Sequence, residues 1–328
     1  MTAPKAPADA SAATDRDGWI AILDRITDDS GYLEALGPQH WAFFHDDGPV
    51  MLVTFETVEA IRARPDQMPF GWAMARAHGW SHLCMIGEGD TWWRSRRVWG
   101  YFDRLVDDAF FEDFDRVCFF GAGRAGYAAA AYSVAAPGAT VLAVRPRATM
   151  DPAVAGWDPR DRGARRLDFT SRYGFAPDMT EGAGRVFVLA DPAEPLDAMH
   201  MALFRRPWTT RLPARFSGAE PEAMLGHMGL LMPLVQAAVE GRLSPAVWAG
   251  MWRGRRMHAP WLRNVLARLG QGKSRLREAV FCRAVAARVN ATRFRRRLAE
   301  LTEALEAEGI ALPPQRTPAR VPGDALLD

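Results

Sequence analysis

The sequence predicts an α/β protein with a predominantly parallel sheet, followed by a helical C-terminal subdomain. Three observations carry that expectation. Six short apolar runs recur before Glu222, separated by segments of helical character that would serve as crossovers. These runs lack strict alternation, as strands covered on both faces do. From Glu222 onward the pattern turns helical, and Leu298, Leu301 and Leu305 line one side of the last segment.

Taken in order, the expected strands are VMLVTF at 50–55, HLCMIG at 82–87, RVCFFG at 116–121, TVLAVRP at 140–146, RVFVLAD at 185–191 and RLPARFSG at 211–218. A helix is expected between Trp92 and Asp108, with Val98, Phe102 and Leu105 on one side and Thr91 as its cap. The alanine-rich segment from Ala128 to Ala136 suits a short helix packed closely beneath the sheet, since alanine loses little side-chain entropy. Residues 148–180 hold too many turn formers for one regular helix and read as a lid over the sheet's C-terminal edge. Later helices are expected at 222–240, at 244–268 with an interruption at Pro260, and at 273–308.

Composition bounds the remaining possibilities. Hydrophobic residues make up 48% of the 328 positions and charged residues 24%, which excludes an intrinsically disordered chain. The three cysteines, Cys84, Cys118 and Cys282, form no CxxC pair, so neither a cysteine zinc site nor a secreted disulfide framework is expected; a reducing, cytoplasmic setting is the plainer one. MTAPKAPADASAATDRDGW lacks an uninterrupted apolar stretch and reads as a loose leader, not a secretory signal. The uncharged run from Tyr127 to Val144 is divided by Pro137-Gly138 into a buried helix and a buried strand, and no transmembrane span is expected. Seven histidines show no HExxH or other compact ligand spacing, so the expected metal is none.

Net charge is +2, but it is unevenly spread: from Arg253 to Arg297 there are fourteen Arg or Lys residues and one acidic residue, Glu278. That segment is the candidate surface for a protein partner, a homo-oligomer or a polyanion. A solvated helical cap explains it equally, and without a nucleic-acid-reading motif no nucleic-acid partner is expected.

The stretch VCFFGAGRAGYAAAAYSV, residues 117–134, reads as a strand, a glycine turn and a small-residue helix. The turn admits three readings. Glycines there can simply let a helix approach the sheet. GAGRAG is also a literal GxGxxG, in which Gly121 turns the chain, Gly123 admits a pyrophosphate and Gly126 brings helix and strand together. The next strand ends in Arg145-Pro146-Arg147, a match for a ribose 2′-phosphate, so this second reading is an NADP-dependent oxidoreductase.

The third reading is a family resemblance. The order of the segments over residues 48–240 resembles the α/β-hydrolase fold, in which a central strand feeds a nucleophile elbow, G-x-S-x-G. Here the elbow is Gly121-Ala122-Gly123-Arg124-Ala125, which puts Gly123 where the family has serine and Ala125 where it has the last glycine. The resemblance further implies Asp191, which VFVLAD places just after a late strand, as the acid member, with Glu194 and Asp197 as nearby alternatives, and His227 as the base. Each also has a plain structural reading, as strand terminator, helix cap or buried imidazole.

Without an attacking oxygen, Ser-His-Asp chemistry has no covalent intermediate. The expected function is therefore a degenerate hydrolase, a pseudoenzyme binding a small anionic or polar ligand at the elbow through Gly121, Gly123, Arg124, Gly126 and Arg145, with Asp191 and His227 activating water or orienting the ligand and with no cofactor. Arg124 at the helix start favours an anion. Arg160, Arg162, Arg165 and Arg166 could close over one, unless Asp158, Asp161 and Asp168 neutralise them. The loop with Glu88, Asp90, Trp92, Trp93 and Arg94 is a pocket-wall candidate. The expected divisions are a leader at 1–16, a hydrolase-like core at 17–240, a basic helical subdomain at 241–312 and a tail at 313–328.

Overall fold

The computed structural model describes residues 9–272 and 274–314. Eight strands share one sheet: β1 Gly31–Ala35, β2 His40–His45, β3 Val50–Thr57, β4 Ser81–Gly87, β5 Arg116–Ala122, β6 Thr140–Val144, β7 Arg185–Ala190 and β8 Thr209–Pro213. Their spatial order is β1-β2-β4-β3-β5-β6-β7-β8. β2 is antiparallel to both neighbours, and the pairs from β4 to β8 are all parallel. Flanked by helices and followed by a helical cluster, this mixed, mostly parallel sheet is an α/β-hydrolase-like architecture. The crossing of β3 and β4 seats β3 beside β5, with Thr54 opposite Phe120. Their carboxyl ends therefore open together, where α/β sheets receive ligands.

Eleven labelled helices belong to the unit that ends at Arg253: α1 Arg16–Thr27, α2 Val58–Arg62, α3 Trp72–His78, α4 Arg96–Asp107, α5 Arg124–Tyr132, α6 Pro152–Ala155, α7 Ala176–Met179, α8 Pro195–Leu203, α9 Pro221–His227, α10 Leu231–Val239 and α11 Pro245–Met251. Alternation along the strands divides the core. Val53, Phe55 and Phe119 point to the face covered by α4 and α5, where Tyr127, Tyr132 and the alanines between them are fully buried. Phe43, Cys84 and Ile86 point to the other face and pack with Trp19 and Leu23 of α1. Ala10 and Ala13 are buried in that second cluster. No single helix among the described residues is long and apolar enough to cross a membrane.

A second compact unit begins at Gly254 and contains α12 Ala259–Gly270, α13 Arg275–Ala286 and α14 Thr292–Ala307. Phe281 and Phe294 meet edge to face at 6.1 Å, and Leu301 and Leu305 are buried.

Several elements depart from the sequence expectation. The first hairpin, β1 and β2, is absent from it: GYLEA is a half-exposed edge strand without an apolar run, whereas HWAFFH, buried at every position, holds an apolar run that the expectation passed over. β8 ends at Pro213, short of the expected Gly218, where Ala214 to Ser217 form a turn closed by the Ser217 N–H on the Ala214 carbonyl. The helix expected from Trp92 starts at Arg96 with Ser95 as its cap, since Trp92 and Trp93 both adopt left-handed φ values of 54° and drive their rings into the core. The Gly229 bend, φ 67°, divides the 222–240 helix in two. Likewise 273–308 is not one helix: the chain reverses between α13 and α14, which lets two apolar stripes cover each other instead of facing water. The tail expected from 313 lies almost wholly outside the described residues.

Candidate functional site

β5 delivers the elbow to the carboxyl edge of the sheet. A β-carbon on Gly121 would stand 2.1 Å from the Ala125 carbonyl oxygen, so only glycine allows the turn to close this tightly. Gly123 follows at φ 61°, ψ −121°, a backbone state that disfavours L side chains, and its N–H donates to the Val144 carbonyl at 2.9 Å. α5 begins at once at Arg124, and no side chain caps its first turn. A helix start without a side-chain cap leaves N–H groups of its first turn without intrahelical partners, the property by which such a start attracts an anion.

Arg145 stands opposite. It follows β6 in a left-handed conformation, φ 41°, uncommon for a residue with a β-carbon. A β-carbon on Gly123 would lie 3.6 Å from the Arg145 guanidinium carbon, ordinary contact distance. The Arg145 Nε donates to both carboxylate oxygens of Glu222, at 2.7 and 2.9 Å. Burial alone would lower the Arg145 pKa, but the Glu222 carboxylate outweighs it and the net shift is upward. Arg124 is likewise engaged, by Asp90.

Beside the elbow lies a cavity of about 370 Å³. Phe55, Phe70, Trp93, Phe120 and Leu231 make its apolar wall, while Glu56, Arg64, Arg124 and Glu222 bring charge to it. Glu56, at the end of β3, pairs with Arg64 at 2.6 Å and accepts the Phe70 N–H at 2.8 Å. The same carboxylate accepts the Cys84 thiol at 3.6 Å and the Thr54 hydroxyl at 3.3 Å, and that hydroxyl is 2.9 Å from His82 Nε2. Burial holds His82 neutral, with its pKa lowered to about 3, and pushes the Cys84 thiol well above its ordinary value. This polar column sits on one face of β3 and β4.

The other expected site residues fall as follows. Asp191 is buried after β7, and its two oxygens accept the N–H groups of Ala193 and Gly218, each at 2.9 Å. His227 is exposed at the end of α9. No described hydrogen bond joins the two; the loop after β8 reaches Asp191 through the Gly218 N–H. Glu222, Glu56 and Arg64 are the site residues that sequence reasoning missed. Only Glu222 had a local signal, an acid in the first turn of the helix that follows the last strand.

Arg147 is buried among Asp158, Asp161 and Asp197, at 3.4–3.5 Å from each. Asp158 also binds Arg160 and, at 2.9 Å, His200 Nε2, whose partner atom Nδ1 accepts the Ala148 N–H at 3.1 Å. His200 is thus the neutral tautomer with its proton on Nε2; burial lowers its pKa to about 4. Burial would raise the Asp158 pKa, but hydrogen bonds from Arg160 and His200 bring it to about 2. This network ties residues 158–161 to β6 and α8. Farther along, buried Arg94 donates to the Asp168 carbonyl at 2.6 Å and the Arg172 carbonyl at 2.7 Å and lies over Trp99 and Phe169. Within residues 148–180, Arg160 is thus engaged by Asp158, and Arg165 donates to the Gly156 and Asp158 carbonyls.

Among the described residues no group of three His, Cys, Asp or Glu side chains is placed to hold a metal, and all three cysteines are free and buried. In the second unit, Arg297 binds Glu278 through two contacts, at 2.7 and 3.2 Å, beside a cleft of about 530 Å³ lined by Arg293 and Arg296.

No protein-family model matches the sequence, and no curated protein matches it. Among solved structures, the capsule O-acetyltransferase of Neisseria meningitidis serogroup A is similar at 9% identity and a TM-score of 0.40, over 62% of this chain and 94% of that one. AbyA5 is similar at 16% identity and a TM-score of 0.39, over 73% and 80%. Carboxyl esterase 2 from the fungus Tuber melanosporum is similar at 11% identity and a TM-score of 0.36, over 66% and 80%. Such distant likenesses say nothing about the chemistry of the site.

Proposed function

We propose that this chain is a hydrolase-like protein that binds a small polar or anionic molecule at the elbow, residues 121–127, without forming a covalent acyl intermediate there. One observation carries the reading: Gly123 holds the strained φ 61°, ψ −121° turn between strand and helix, and the space its side chain would fill faces the Arg145 guanidinium. An attacking oxygen is missing from that point, and the Asp191 carboxylate is occupied by backbone N–H groups instead of an imidazole. A guanidinium and an uncapped helix start attract a carboxylate better than they activate a nucleophile. The NADP reading of the same turn draws no support from Arg147, which is buried among three aspartates.

The test pairs reactivity with binding. A fluorophosphonate probe is expected to leave the intact mass of the protein unchanged, while calorimetry with 3-phenylpropionate detects binding that Arg145→Gln abolishes. Covalent labelling at the elbow would end the proposal. Arg145-dependent NADPH binding in place of carboxylate binding would return the turn to the dinucleotide reading.

A further inference from the structure

A second cleft, of about 510 Å³, opens at the carboxyl edge of β4, with β3 between that strand and the β5 that carries the elbow. It is lined by His40, which opens β2 opposite Gly87, by the residues after β4 and by the start of α4. Its positive charge is uncompensated. Arg94, Arg96 and Arg97 stand in the wall, and among the described residues none of the three is in an ion pair: buried Arg94 donates to the Asp168 and Arg172 carbonyls, and Arg96 and Arg97 are exposed. The acid in the lining, Asp90, is held by Arg124, and the neighbouring Glu88 by Arg16 at 3.1 Å. Arg96 and Arg97 lie in the first turn of α4, which has no acidic residue, so the positive end of the helix dipole adds to their charge. A β-carbon on Gly37, φ 87°, would stand 2.6 Å from the Arg97 Cδ, so a glycine there leaves that stem its path.

A buried polar group faces the same cleft. His40 is only 4% exposed, yet it is part of the lining. Its Nε2 lies 2.9 Å from the Thr91 hydroxyl, and its Nδ1 has no partner among the described residues. Unlike the unpartnered Nδ1 atoms of His45 and His82, this one is not sealed from solvent. The Thr91 oxygen accepts the Trp93 N–H at 3.4 Å, which turns its own proton toward Nε2 and leaves the ring proton on Nδ1. Burial keeps the ring neutral, with its pKa lowered to about 4. A neutral N–H donor opening on a cationic cleft suits an anionic oxygen. Three uncompensated cations favour a dianion over a monoanion, and guanidinium groups match phosphate oxygens in pairs. Leu36, Pro38 and Leu167 add an apolar side, and the volume is that of a small-molecule site.

We infer that this cleft binds a phosphate group carried on a compact apolar body, with Arg96, Arg97 and the His40 Nδ1–H on its oxygens and Arg94 adding charge from the wall. None of these residues belongs to the elbow, so the site stands or falls apart from the reading given above. Isothermal titration of the full chain at pH 7.5 compares phenyl phosphate, inorganic phosphate and benzoate. Phenyl phosphate is expected to bind about tenfold or more tighter than benzoate, the worth of one added charge-assisted hydrogen bond, and about threefold or more tighter than inorganic phosphate. Arg96→Gln with Arg97→Gln, two exposed positions, is expected to weaken phenyl phosphate about 100-fold, tenfold for each guanidinium. His40→Phe keeps a ring without its N–H and is expected to weaken it about tenfold, while Arg145→Gln leaves it unchanged.

No binding of phenyl phosphate by the wild-type chain, or binding unchanged in the Arg96→Gln, Arg97→Gln protein, would overturn the site. Benzoate bound as tightly would overturn the dianion, and inorganic phosphate bound as tightly would overturn the apolar body. Affinity unchanged in a folded His40→Phe protein would refute the imidazole contact, and the arginine pair decides the site even if that variant does not fold. Binding lost in Arg145→Gln but kept in the double arginine variant would move the phosphate to the elbow, overturning this site and sustaining the other.

Discussion

Gly121 and Gly123 are two residues apart in the elbow, yet a side chain at each should have very different consequences. In Gly121→Ala the new methyl would stand 2.1 Å from the Ala125 carbonyl oxygen, a collision with backbone that a rotamer change cannot relieve. The expected loss is about 3 kcal/mol or more, the upper range for overpacking. In Gly123→Ser the new β-carbon meets only the Arg145 guanidinium, at 3.6 Å, which is no clash. Its cost is the positive-φ backbone at φ 61°, ψ −121°, about 1–3 kcal/mol. Urea unfolding followed by circular dichroism should therefore place the serine variant between the wild type and the alanine variant. The serine variant should also stay inactive on p-nitrophenyl acetate, because Asp191 accepts backbone N–H groups and no described hydrogen bond joins it to an imidazole, and the new hydroxyl gains a guanidinium neighbour instead of a base. Ester turnover or fluorophosphonate labelling in Gly123→Ser would show that a base reaches the elbow after all, and a destabilisation equal to that of Gly121→Ala would show that the space beside Arg145 is not open.

Other perturbations test the surroundings. Arg145→Ala leaves Glu222 without its cation; a loss of about 1–3 kcal/mol in urea stability is expected, and Arg145→Ala with Glu222→Ala should recover part of it. His40, His82 and His200 all have pKa values depressed by burial, His200 to about 4, so stability is fully present above pH 6.5 and is lost as pH falls from 6.5 toward 4. His200 alone should contribute a loss of about 2 kcal/mol by pH 5, and a urea midpoint identical at pH 7.5 and pH 5 would refute this. Arg94→Lys keeps the charge but not the fork that binds two carbonyls; faster proteolysis within 168–172 is expected, at unchanged cleavage elsewhere. The first turn of α14 carries Arg293 and no acidic residue, against the helix dipole. Arg293→Glu should raise the stability of the second unit by about 0.3–1 kcal/mol, and a decrease would place that arginine in an unrecognised contact.

Five expected strands, VMLVTF through VFVLAD, lie where their apolar runs place them, because strands covered on both faces must be apolar throughout. The glycine turn was legible for a related reason: Gly121 answers a local steric demand, and local demands are written in consecutive residues. GYLEA was not legible, since an edge strand is stabilised by its partner and not by its own composition. The start of α4 was misread because two consecutive tryptophans just ahead of it took left-handed φ values, their rings buried in the core, instead of joining the helix. Sequence order alone put Asp191 after a late strand. Only tertiary structure decided that it meets the Gly218 backbone, that His227 faces solvent, and that Glu222, from another helix, closes on Arg145 beside Gly123. Local order follows from neighbours in the chain. A site assembled from β3, β5, β6 and α9 depends on distances that only the folded sheet sets.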